Sequence, residues 1–168
     1  NYIFPDAEKS RIIIDLGEGS ADRPTETYIK KVNDTLFEGH RFSTGWARDQ
    51  REYFSLIISK PVSDFIIYDR HKKFKGIERK GDYVKGFLEF STEKDEKIMV
   101  KMGISTVSSK NALENMMIEL PHWDFDRVKK NAEQKWENEL SKIKIKTKDK
   151  KKKRVFYTAM YHTMIAPN

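Results

Sequence analysis

The sequence predicts a mainly β chain, an antiparallel β-sandwich followed by C-terminal helices. Three observations carry this reading. Six or seven short β-branched or aromatic runs occupy residues 1–107 with no helical pattern between them, and strands that follow one another without crossover helices pair antiparallel. At Ser108-Ser109 the apolar spacing changes from a period of two to one of 3.6. A hydrophobic fraction of 38% with 12% aromatic residues is enough for a packed core.

The strands follow in order. Arg11 to Leu16 is a β-branched run closed by Gly17-Glu18-Gly19-Ser20. Thr27 to Asn33 alternates, turns at Asp34-Thr35 and returns through Leu36 to Phe42 as a hairpin. Tyr53 to Ile58 is a further strand ended by Pro61, and Asp64 to Asp69 is the next. Residues 74–82 read as a polar loop containing Gly76 and Gly81. Tyr83 to Phe90 and Lys97 to Ile104 complete the set; in the second, Ile98, Val100, Met102 and Ile104 share one face and Lys97, Met99, Lys101 and Gly103 the other.

Beyond Ser108, the residues Leu113, Met116, Met117 and Leu120 lie on one helical face, with the Met pair expected in the core, and Pro121 ends that helix. Asp124 is placed to N-cap a longer helix whose stripe is Phe125, Val128, Ala132, Trp136, Leu140 and Ile143. The alternation of Ile143 and Ile145 among Lys142, Lys144 and Lys146 predicts a short strand entering a lysine-rich turn. From Arg154 to Asn168 an apolar, helix-patterned segment closes the chain with nothing after it to pack against. The expectation is therefore a piece of a larger protein, at a junction between an all-β and an all-α part.

Charge and composition exclude several functions. The net charge is +7, but residues 142–154 carry nine positive charges and one negative, so the remainder sums to −1. A basic run confined to one solvated segment, without interleaved aromatics, does not make a nucleic-acid-binding domain. Cysteine is absent, which excludes disulfides, thiolate metal sites and cysteine nucleophiles. No run approaches the roughly 20 apolar residues that span a bilayer.

The chemistry-bearing residues are few. His40, His71, His122 and His162 lack metal-ligand spacing, and His162 is expected to pack or to hydrogen-bond structurally. Asp124 and Asp126 suit a helix start, where the dipole favours acids, and Glu93, Asp95 and Glu96 read as a solvated acidic turn. Gly17-Glu18-Gly19 lacks the further glycine and helix of a phosphate-binding loop. Trp46, after Gly45 in a loop-like stretch, is the one candidate substrate-binding residue, as an indole that stacks on a sugar ring; the competing reading is a Trp buried between sheets or at a domain interface.

Five phrases in sequence carry a resemblance. Ile14-Asp15-Leu16-Gly17-Glu18-Gly19 and Ser43-Thr44-Gly45-Trp46-Ala47 lie among the strands, and Val100 to Ser108 with Asn111-Ala112 marks their end. Trp123-Asp124-Phe125-Asp126 opens the connecting helix, and Phe156 to Met164 with Ala166-Pro167-Asn168 closes the chain. In this order they resemble glycoside hydrolase family 92, bacterial exo-acting α-mannosidases, over essentially the whole chain. The resemblance implies the later part of an N-terminal β-sandwich (1–107), a helical linker (108–147) and the start of an (α/α)6 catalytic barrel (148–168) that is mostly absent. It implies inverting, calcium-dependent release of mannose from the non-reducing ends of α-mannosides by a secreted or periplasmic enzyme. The family's catalytic and calcium-binding carboxylates match no residue here, so this part is expected to be scaffold, inactive alone, with the rest of the same polypeptide as its partner. The alternative function is a non-catalytic carbohydrate-binding sandwich module.

Overall fold

The computed structural model describes residues 1–165, so the final Ala166-Pro167-Asn168 of the closing segment lies outside the described residues. The strands are β1 (Tyr2–Phe4), β2 (Ala7–Asp15), β3 (Arg23–Lys31), β4 (Leu36–Thr44), β5 (Gln50–Ile58), β6 (Asp64–Asp69), β7 (Lys72–Phe74), β8 (Glu78–Gly81), β9 (Val84–Thr92), β10 (Glu96–Ile98) and β11 (Val100–Ser105). The helices are α1 (Ser109–Glu119), α2 (Phe125–Leu140) and α3 (Lys150–Ile165). The chain divides into two compact units, one of residues Asn1–Trp123 and one beginning at Asp124.

In the first unit a five-stranded sheet in the order β11-β5-β4-β3-β8 stacks on a four-stranded sheet in the order β2-β9-β6-β7, with a small β1-β10 ribbon beside them. The strand pairs are antiparallel, as the absence of crossover helices predicts. Alternation puts Ile29, Phe37, Leu56 and Ile58 on the inner face of the larger sheet, against Ile67, Val84, Leu88 and Phe90 of the smaller. Phe37 is fully buried and its ring lies 5.2 Å from that of Phe65. Ser10 and Thr92 enter the same interior as a bonded hydroxyl pair, 2.6 Å apart.

The segment 74–82 is not a plain loop. It contains β8, which pairs Glu78–Gly81 with Thr27–Lys30 of β3. Its charged Glu78, Arg79 and Lys80 suit an edge strand and hide the hydrophobic alternation by which strands are recognised. The buried Thr27 hydroxyl ties this edge down, donating to Gly81 O at 2.9 Å and accepting from Val84 N at 3.0 Å. The three-residue β1, β7 and β10 are too short for any period to show.

Helix α1 starts at the predicted place, with the Ser108 side chain accepting from Asn111 N at 3.1 Å. It packs on β11 and β5, over the β11 face that carries Lys101 and Gly103. Gly103 permits this: a Cβ there would lie 2.1 Å from Ala112 O and 2.8 Å from Met116 Cβ. Lys101 is buried beneath the helix end, donating to Leu120 O at 2.9 Å and lying 4.4 Å from the Trp123 ring. A cation at a helix C-terminus complements the dipole, and the indole face adds a cation–π contact. Of the expected Met pair only Met116 is in the core; Met117, next along the helix, is exposed. The opposite β11 face leaves Met102 and Ile104 exposed, because β11 is an edge strand.

In the second unit Asp124 caps α2 as expected, accepting from Arg127 N at 2.9 Å. The apolar stripe of α2 is not a buried one: the helix has no buried residue, and Phe125 and Trp136 are exposed. The expected strand at Ile143 and Ile145 is absent; residues 141–149 are irregular. A lone strand with no neighbouring edge leaves its backbone groups unpaired, whereas Asp149 Oδ1 accepts from Lys151 N at 2.9 Å and Lys152 N at 3.1 Å and starts α3. The lysine run therefore opens a helix rather than a turn. Trp136 and Tyr161 meet edge to face at 4.6 Å, and the Tyr157 hydroxyl donates to Ile143 O at 3.1 Å.

Two substitutions test this packing. Gly103→Ala drives a methyl group into Ala112 and Met116 and is expected to cost about 1–3 kcal/mol in urea unfolding. Phe37→Ala empties the centre of the sandwich and is expected to cost about 3–5 kcal/mol.

Candidate functional site

The β4–β5 connection, residues 45–49, is a run of bends braced by Gly45 N donating to Ala47 O at 2.9 Å. It holds Trp46 away from both sheets at 103% relative exposure. The inter-sheet reading of this Trp does not hold: hairpin strands of equal length put their connection at the rim, beyond the core.

Below the indole lies a cleft of about 500 Å³ lined by Glu18, Asp22, Arg41, Trp46, Gln50 and Glu52 with the 19–21 backbone. Its floor is an ion pair. Arg41 Nη1 donates to Asp22 Oδ2 at 2.5 Å and Nη2 to Oδ1 at 3.1 Å, while Nε reaches Leu16 O at 3.0 Å. The guanidinium thus joins the β2–β3 connection to β4, with each of its three nitrogens donating. Hydrogen bonds from Arg41 and then Ser43 hold the Asp22 carboxyl below its ordinary value of 3.8. At the rim, Gln50 Nε2 donates to Glu52 Oε1 at 3.1 Å.

Trp46 was the only member visible from residue type. The signal for the rest is Arg41, which sits in register with the inner positions Phe37, Gly39 and Ser43 of β4. A cation on a core-facing position demands an anion, but not one that sequence spacing can name; Asp22 is 19 residues away.

A second polar cluster occupies the outer face of the larger sheet. His40 stacks between Phe42 at 4.3 Å and Tyr28 at 5.3 Å, with Tyr53 edge-on at 5.6 Å. His40 Nε2 is 2.9 Å from Glu26 Oε1, and Lys80 bonds the other Glu26 oxygen at 2.7 Å. Burial lowers the His40 pKa, a stronger influence than the opposing pull of Glu26. Burial, then the Glu78 carboxylate, pushes the Tyr28 phenol up to about 12, so it stays a donor to Glu78 at 2.5 Å. This cluster is satisfied packing.

Other candidates are dispersed. Glu96 is not merely a solvated turn acid: Lys60 bonds both its oxygens, at 2.8 and 2.9 Å, and lowers its pKa. Asp126 sits in the first turn of α2, and His162 is exposed beside Tyr161 rather than packed. Among the described residues no three His, Asp or Glu side chains converge on a point where a metal ion would sit. Calcium takes six to eight oxygen ligands, so the described residues do not fit that ion.

The described residues thus form an antiparallel sandwich that continues into helices. Residues 1–105 match the glycosyl hydrolase family 92 N-terminal domain, and residues 111–168 match the glycosyl hydrolase family 92 catalytic domain. The chain belongs to glycosyl hydrolase family 92. A family GH92 alpha-mannosidase from Bacteroides thetaiotaomicron superposes with a TM-score of 0.91 at 27% identity, over 98% of this chain and 23% of that one. The same alpha-mannosidase in complex with mannoimidazole gives 0.91 at 28% identity, over 98% and 22%. A family GH92 inverting mannosidase from the same species shares the fold, with a TM-score of 0.84 at 21% identity over 98% and 22%. An uncharacterized secreted glycosidase of Arthroderma benhamiae is 30% identical over 93 residues, 51% of this chain and 12% of its own length. The chain therefore spans about an eighth to a quarter of the relatives it matches.

The Asp22–Arg41 pair sets a pH dependence for the cleft. Because the folded-state pKa of Asp22 is depressed, its stabilisation is complete above the ordinary value of 3.8 and is lost as pH falls through the lower, folded-state value. The protection factors of the amides in residues 16–22, which factor out the intrinsic slowing of exchange in acid, are expected to fall on acidification below about pH 4, and Asp22→Asn is expected to lower them at neutral pH and remove that acid limb.

Proposed function

We propose that the protein carrying this chain is a glycoside hydrolase that releases mannose from the non-reducing ends of α-mannosides, with this part acting mainly as scaffold. The observation that supports the reading best is the pairing of both family 92 domain matches with a TM-score of 0.91 to an alpha-mannosidase. The proposed layout is a sandwich over 1–107, a helical linker over 108–147 and the start of a helical catalytic domain over 148–168. The general acid and general base belong to the rest of that polypeptide, as do oxygen ligands for a calcium ion that would help bind the sugar. Inversion requires the two carboxyl groups about 6.5–9.5 Å apart, with the attacking water between base and anomeric carbon. A relative named as a secreted glycosidase supports action outside the cytoplasm, and no helix among the described residues is long and apolar enough to cross a membrane.

What this chain's own residues contribute is rigidity. Lys101 clamps the end of α1 to β11 and to Trp123, the last residue of the first unit. The chain between sheet and helices thereby has a fixed point of departure.

The test follows hydrolysis of an α-mannoside by proton NMR in the full-length protein. The expected first product is β-mannose, with activity lost on chelation and restored by calcium. α-Mannose as first product sinks inversion, chelator-insensitive turnover sinks the calcium requirement, and saccharide binding without turnover favours the non-catalytic carbohydrate-binding module.

A further inference from the structure

We propose that the cleft under Trp46 is a binding subsite for one neutral hexopyranose unit of a glycan. The choice of mannose as that unit rests on the function proposed above; the subsite itself rests on the cleft. A single exposed apolar side chain is ordinary on a protein surface. Trp46 differs in its setting, because the indole is fully exposed yet stands on a connection braced by its own backbone bond, over a concavity of about 500 Å³. An exposed flat aromatic beside convergent polar groups matches the two surfaces of a pyranose, an apolar C–H face and a rim of hydroxyls.

The polar groups suit hydroxyls. Glu18 and Glu52 offer carboxylate acceptors, and Gln50 adds an amide with both donor and acceptor atoms. Arg41 is already committed to Asp22 and Leu16, so it supplies a rigid floor rather than a free cation. Three carboxylates (Glu18, Asp22 and Glu52) against one guanidinium leave the lining at a formal −2. That balance rejects phosphorylated, sulfated or uronic acid residues by like-charge repulsion. A metal ion is not the occupant either, because both Asp22 oxygens face Arg41 and no three acidic or His groups converge among the described residues.

Trp46 is one of three tryptophans in this chain, with Trp123 and Trp136. The experiment uses the full-length protein labelled with 5-fluorotryptophan, the Trp46 resonance being assigned by its loss in Trp46→Ala. Titration with sulfur-linked α-1,2-mannobiose, which resists the hydrolysis proposed above, is expected to move that resonance saturably, with a Kd of about 1–10 mM, ordinary for a small exposed site. Mannose 6-phosphate is expected to bind about tenfold more weakly. In isothermal titration, Trp46→Ala is expected to lose at least about tenfold in affinity with an unchanged melting temperature, since the indole packs on neither sheet. Glu52→Gln, a second variant that keeps the indole, is expected to weaken binding with the resonance still shifting. A Trp46 resonance that neutral saccharides leave unmoved up to about 50 mM, five times the weakest expected Kd, overturns the subsite, as does unaltered affinity in Trp46→Ala. A shift with cellobiose but not mannobiose keeps the subsite and overturns only the mannose assignment.

Discussion

The sandwich depends on a missing side chain. At Gly86 of β9 a Cβ would lie 2.5 Å from Ile29 Cδ1 on the opposing sheet and 3.0 Å from the Phe65 ring on the neighbouring strand. The vacancy lets Ile29 cross between the sheets to full burial. It also fixes register, because Gly86 is the point where β9 pairs with Ile14 on one side and Ile67 on the other. A slip of one residue would present Lys85 or Phe87 to Ile29 and turn Val84, Leu88 and Phe90 out to water. The placement of Leu16, and through it the Arg41 contact, follows from that register.

Arg41 extends the same logic to the rim. The inner face of β4 runs from buried Phe37 to Ser43, and a hydrocarbon at Arg41 would take away the donor to the Leu16 carbonyl and the cation that neutralises the Asp22 carboxylate. A partly buried pair of this kind adds little net stability over a well-packed apolar substitute. Its value is geometric, since three directed hydrogen bonds fix the β2–β3 connection to β4. The structure spends hydrophobic burial on the core and directional bonds on the rim.

How much of this was legible depends on whether a feature leaves a periodic trace. β4, β5, β6 and β9 announce themselves because one face of each is buried, β11 by an alternation whose apolar Met102 and Ile104 are nonetheless exposed, and Ser108 and Asp124 because N-caps need short polar side chains. β8 left no trace, since a charged edge strand is recognised only by its partner. The Ile143–Ile145 alternation misled because two apolar residues are too few to separate a strand from an irregular connection, and the capping acid that decided the matter, Asp149, stands after them. In the cleft, Trp46 was legible by residue type and Gln50, Glu52 and Asp22 were not. Their proximity is a product of two connections meeting in space, and no spacing along the chain encodes it.

β2 occupies the end of the four-stranded sheet, bonded to β9 on one side. Among the described residues no strand neighbours its other side, along Ile12-Ile13-Ile14. Ile13, half exposed at 53%, adds a greasy outer surface to it. The strand is bracketed by Glu8, Lys9, Arg11 and Asp15, charges that a second chain approaching in antiparallel register must bring into apposition. These are gatekeepers in the colloidal sense. They make the pairing of another strand with this nine-residue one sensitive to ionic strength and pH.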